Sequence, residues 1–130
     1  MMNNSNTQPI KLIPIYTTKG DAEAFLLYPY LYNRIGDWVG FVTAKKEVYS
    51  VIGYYVGMLT NDPPIVRKRA TGTLKPRLKP PPQPQKVYPP ATVPLPPMMG
   101  DLSHSLVDVL LDEPDRLHTI DSGEKRQDLD

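Results

Sequence analysis

The chain has 130 residues, a net charge of +1, 16 Pro and no Cys, which excludes a disulfide framework and thiolate metal sites. No run approaches the ~18 apolar residues of a membrane-spanning helix, and the polar start, MMNNSNTQPI, lacks the apolar centre of a secretory signal, so the expected compartment is the cytoplasm. Charge is segregated: residues 1–64 carry 5 Lys/Arg and 5 Asp/Glu, residues 65–100 carry 7 and 0, and residues 101–130 carry 3 and 9, giving blocks of 0, +7 and −6 whose attraction can be internal or can serve two partners.

In chain order, residues 1–8 are expected to be disordered, and a β domain is expected over 9–70. Ile10 and Leu12 alternate with polar residues in IKLIPI, as in a strand that can pair with the last strand of the domain and close it. A repeat follows. Ile15-Tyr16 leads to Gly20, Ala24 and Leu26; Leu31-Tyr32 leads to Gly36, Gly40 and Val42; Val48-Tyr49 leads to Gly53, Gly57 and Leu59. The units read as hairpins, with TTKG, NRIG and SVIG as turns whose Gly supplies a positive φ. Aromatic and β-branched residues dominate the returning strands, as strands prefer. The second small residue of each unit marks a close approach of another backbone or a Tyr ring. Ile65-Val66-Arg67 can supply the first strand of a fourth unit, while RATGTLKP after it lacks the pattern. Joining first and last strands would remove the exposed edges of so small a sheet. The expected fold is thus all-β, a small closed ring of about four hairpin repeats.

On this apolar–Tyr–x3–Gly–x3–Gly/Ala pattern over residues 13–67, the chain resembles the bacterial 4-fold beta flower family, with a PRC-barrel-like domain as a second resemblance. The first likeness implies four short hairpins about a pseudo-fourfold axis. Members of that family are mostly of unknown function, so it implies no catalytic residues.

Residues 71–100 are expected to form an extended basic arm. Ten of the 16 prolines lie between Pro76 and Pro97, which removes the donors for helix or central strand. As polyproline II at about 3.1 Å per residue, that stretch spans roughly 70 Å. It contains a P-x-x-P-x-basic arrangement at Pro81, Pro84 and Lys86, a form read by aromatic grooves, although semi-rigid spacing is the simpler role. One short amphipathic helix is expected at 101–114: Leu102, Leu106, Val109 and Leu110 share a face, Asp101 or Ser103 can cap it, and Pro114 ends it. So short a helix is not stable alone and must dock. Residues 115–130 read as an acidic tail.

Candidate sites follow from these elements. Tyr16, Tyr32 and Tyr49 are expected as core layers. Tyr28 and Tyr30 in the connector LLYPYLY, Trp38 and Tyr55 on equivalent strand positions, and Leu102, Leu106, Val109 and Leu110 on the helix are the expected protein-interaction residues. Arg67, Lys68 and Arg69, with Lys75, Arg77, Lys79 and Lys86, form a basic run for possible anion contact. His104 and His118 have no ligand-spaced neighbours, and no catalytic, cofactor-binding or metal residues are expected. The expected role is non-enzymatic: an interaction or assembly module whose β domain anchors while arm and helix dock on a partner protein or neighbouring subunit. One alternative is an accessory protein binding nucleic acid or an anionic surface through residues 65–86. A second is a small-ligand sensor on the repeat axis.

Overall fold

Each Tyr–Gly unit folds as a hairpin for the same local reasons. In the computed structural model, which describes residues 11–60, 65–68, 75–96, 98, 102 and 105–120, Gly20, Gly36 and Gly53 have φ of 92°, 92° and 93°, left-handed values that Gly adopts without a Cβ penalty. The residue after each Tyr closes the turn. Thr17 Oγ1, Asn33 Oδ1 and Ser50 Oγ accept hydrogen bonds from backbone N–H groups of their own turns, at Asp21, Asp37 and Tyr54 respectively. Short polar side chains that bond to nearby backbone favour such turns. The three hairpins also share one irregularity: the ladder shifts between Ile15 and Tyr16, between Leu31 and Tyr32, and between Val48 and Tyr49, a bulge that increases local twist.

The strands are β1 (Ile13–Tyr16), β2 (Ala22–Leu27), β3 (Tyr30–Asn33), β4 (Trp38–Val42), β5 (Glu47–Ser50), β6 (Tyr55–Leu59), β7 (Ile65–Lys68) and β8 (Leu106–Asp108), followed by α1 (Val109–Asp112) and a 3-10 turn at Pro114–Arg116. All pairings are antiparallel and run in sequence order from β1 to β8. Ile15, Leu31, Val48 and Ile65, spaced like the repeat, lie at 2% exposure or less in one cluster with Ala24, Val39, Val56, Val109, Leu110 and Leu117. Burying each such aliphatic side chain contributes about 1.5–3 kcal/mol.

Two expectations are corrected, and two further segments are placed. The fourth hairpin is completed by β8, which pairs Val66 with Asp108 and Lys68 with Leu106; the N-terminal strand does not take that place, and β1 pairs with β2. The ring is therefore not closed by a ladder among the described residues. Instead the Thr18 N–H donates to Asp108 Oδ2 at 2.6 Å. The helix expected over 101–114 is only Val109–Asp112, capped by Asp108, because Leu106–Asp108 extends as a strand. The open edge of β7 offers ladder bonds that a short isolated helix cannot match, and Val107 and Val109 suit extended backbone. Finally, the segments expected to reach a partner lie on the chain's own β unit: Val109, Leu110 and Leu117 fill its core, and Val87 packs on Tyr32, Trp38 and Val51. Expectations for residues 1–8, Ser103 and the tail from Asp121 lie outside the described residues.

Candidate functional site

The Pro-rich segment 75–96 is a strap held by the turn glycines in reverse order. Leu78 N–H donates to the Gly53 carbonyl at 3.0 Å, and Val87 N–H to the Gly36 carbonyl at 3.1 Å. A Cβ on Gly53 would overlap the Leu78 carbonyl, and one on Gly36 the Val87 carbonyl. These glycines thus serve both the positive φ and the approach of a second backbone. The basic residue before each aliphatic contact engages the same turn. Arg77 Nε donates to the Ile52 carbonyl at 2.6 Å, with its guanidinium 5.1 Å from the Tyr54 ring centroid. Lys86 Nζ lies 3.4 Å from Asp37 Oδ1. At the third turn Pro96 Cγ stands 3.3 Å from where a Gly20 Cβ would lie, and the Tyr16 hydroxyl donates to the Pro94 carbonyl at 2.5 Å. Leu78, Val87 and Pro96 are nine residues apart. The sequence carried this signal: Arg77-Leu78-Lys79-Pro80-Pro81 recurs as Lys86-Val87-Tyr88-Pro89-Pro90. Read only as low-complexity polyproline, the run conceals its period.

On the other side, an open groove of about 850 Å³ lies between β2, the β3–β4 turn and the C-terminal segment. Its floor is Ala24, Val39, Leu110 and Leu117, and its rim carries Glu23, Arg34, Asp115 and His118. It forms where the repeat changes: by ladder register, Glu23 stands where the second and third hairpins place Val39 and Val56. Gly40 admits the floor residue Leu117, whose Cδ2 lies 2.9 Å from a Gly40 Cβ position, while the Tyr49 carbonyl fills the other side. Arg34 is 69% exposed and stands 3.8 Å from Glu23, a loose surface pair that contributes little stability and leaves the guanidinium accessible. Sequence reasoning missed this groove, since its walls come from segments far apart in the chain.

At the opposite end of the hairpins, Lys75 Nζ bonds Glu47 Oε2 at 2.8 Å and stands 5.3 Å from the Tyr55 ring centroid. The hydrogen bond to Glu47, then its charge, holds the Lys75 ammonium above its ordinary value. Burial pushes the Tyr32, Tyr49 and Tyr55 hydroxyls up.

The expected interaction residues do not gather into one surface. Tyr28 is 60% exposed. Tyr30 is half-buried edge-on to Trp38, and Tyr55 packs edge-on to Tyr49. Trp38, Val109 and Leu110 are buried, with the Trp38 indole donating to the Gly40 carbonyl at 2.7 Å and Leu110 in the groove floor. Leu102 and Leu106 are half-buried, Leu106 within β8. In the basic run, Lys75, Arg77 and Lys86 each engage the β unit. Arg67 and Lys68 contribute backbone to β7, while their side chains and Arg69 lie outside the described residues. Among the described residues no group of three His, Asp or Glu side chains has metal-binding geometry, and no helix is long and apolar enough to cross a membrane. No family model, curated protein or solved structure matches the chain.

Proposed function

We propose that the chain is a non-enzymatic interaction module that binds a partner-protein segment in the groove between β2, the β3–β4 turn and residues 110–119. The observation that carries this reading is the groove's make-up: an apolar floor continuous with the core, under a rim bearing both a guanidinium and carboxylates. Such a surface takes an apolar anchor side chain while the rim meets the donors and acceptors of a peptide backbone. The β hairpins supply a rigid frame. The strap and C-terminal segment act within the chain, in place of the reach towards a partner expected from sequence. The recurrence of Ile15, Leu31, Val48 and Ile65 supports the proposed likeness to the 4-fold beta flower family. Engagement of Lys75, Arg77 and Lys86 with the chain itself weighs against an anionic partner.

The test is to select peptides from a random library on the intact protein and measure their affinity for Ile35→Asp and Arg34→Glu. Both positions are exposed groove-lining residues, so the fold is retained. Selected peptides should share an apolar anchor and lose at least tenfold in affinity on one or both variants. Peptides that bind both variants as tightly as the parent protein overturn the reading. Preferential binding of small apolar molecules to the same groove favours the ligand-sensor alternative instead.

A further inference from the structure

The strap treats its three turns unequally. At Gly36 and Gly53 it supplies an aliphatic residue whose N–H donates to the Gly carbonyl, preceded by a cation that meets the residue after the Gly: Lys86 on Asp37, and Arg77 on Tyr54. At the Gly20 turn the corresponding residues are Leu95 and Pro96. Pro96 has no N–H to donate. Leu95 is 92% exposed and carries no charge. Asp21, the counterpart of Asp37, is exposed, and among the described residues no cation or donor meets its carboxylate. Gly36 and Gly53 are buried beneath the strap, whereas Gly20 is only half-buried.

We infer that the Gly20–Asp21 turn is an incompletely filled binding site for a basic–aliphatic–x–Pro–Pro segment of another protein. The chemistry comes from the molecule itself: its own segments 77–81 and 86–90 show what the two equivalent turns hold. An incoming segment of that kind adds two interactions that Leu95-Pro96 cannot, a backbone N–H donor for the Gly20 carbonyl and a cation for Asp21. It enters as polyproline II, so little conformational freedom is lost on binding. It displaces residues 94–96, which the Tyr16 hydroxyl holds through the Pro94 carbonyl. The two filled turns resist exchange because their strap segments already supply both the N–H donor and the cation. This site is separate from the groove on β2 and the C-terminal segment and does not rest on that reading.

The experiment uses fluorescent peptides RLKPPPQ and KVYPPAT with the intact chain. Both should bind in fluorescence anisotropy. A peptide RPKPPPQ, without the donor N–H, should bind about tenfold more weakly, and Asp21→Ala should weaken RLKPPPQ several-fold. Asp37→Ala should leave peptide affinity unchanged, since that turn is filled in cis. The double variant Leu95→Lys/Pro96→Val supplies the missing groups within the strap; it should raise the melting temperature and reduce peptide binding. The inference is overturned if RLKPPPQ binds no better than RPKPPPQ, if Asp37→Ala rather than Asp21→Ala weakens it, or if the double variant binds peptide as well as the parent.

Discussion

The three turn glycines share one backbone conformation and differ in what lies above them. Gly20→Ala meets mainly the left-handed penalty of about 1–2 kcal/mol, because among the described residues its one close neighbour is Pro96 Cγ at 3.3 Å. Gly36→Ala and Gly53→Ala additionally collide with strap carbonyls and break the bond from Val87 or Leu78. Each should cost at least about 1 kcal/mol more than Gly20→Ala in urea unfolding; equal losses at all three sites would show that the strap contacts contribute nothing. A second prediction concerns alkaline pH. The folded chain holds the protons of Tyr32, Tyr49, Tyr55 and Lys75 to higher pH than the unfolded chain does. The associated stability is complete below the ordinary values of 10.0 for Tyr and 10.5 for Lys and is lost as pH rises through the folded values,. Urea midpoints should therefore fall above about pH 10, in step with tyrosinate absorbance, and Tyr32→Phe should make that fall shallower.

Between elements, the Asp108 side chain joins β8 to the first hairpin. Asp108 is 2% exposed; one carboxylate oxygen accepts from the Thr18 N–H at 2.6 Å and the other from the Leu111 N–H at 3.4 Å, capping α1. Asp108→Ala removes both acceptors and should destabilise by about 1–3 kcal/mol. Asp108→Asn keeps one acceptor oxygen and should fall in between. Amide exchange locates the effect: Thr18 and Leu111 should lose protection in both variants, most in the alanine variant, while the β3–β4 ladder keeps it. Uniform loss across the sheet would instead mean that β8 and the hairpins unfold only as one unit.

For the whole molecule, the strap ties together the turns of three hairpins. Replacing residues 75–96 with a Gly/Ser segment of equal length keeps β8 and the core cluster but removes the contacts at Gly36 and Gly53 and the stiffness of polyproline. The strand signature in circular dichroism should persist, while the melting temperature falls by on the order of 10 °C. An unchanged melting temperature would reduce the strap to a passive connector. Beyond the strap, Val109, Leu110 and Leu117 complete the interior that the first three hairpins leave unfinished.

Three hairpins, their turn glycines and the first strand of the fourth were legible in the sequence because each is dictated within one unit: Tyr, a short polar capping residue, and Gly at the left-handed position act on neighbouring backbone. The nine-residue period of the strap was also written there, in RLKPP and KVYPP. What it pairs with was not, since a polyproline segment has no internal hydrogen bonds and takes its position only from the surface beneath it. Only the tertiary structure decided that Leu106–Asp108 becomes a strand, that Asp108 links it to Thr18, and that a groove opens over Ala24 and Val39. Each depends on residues far apart in the chain meeting at a β7 edge that lacks a local partner, and local propensity carries no information about that meeting.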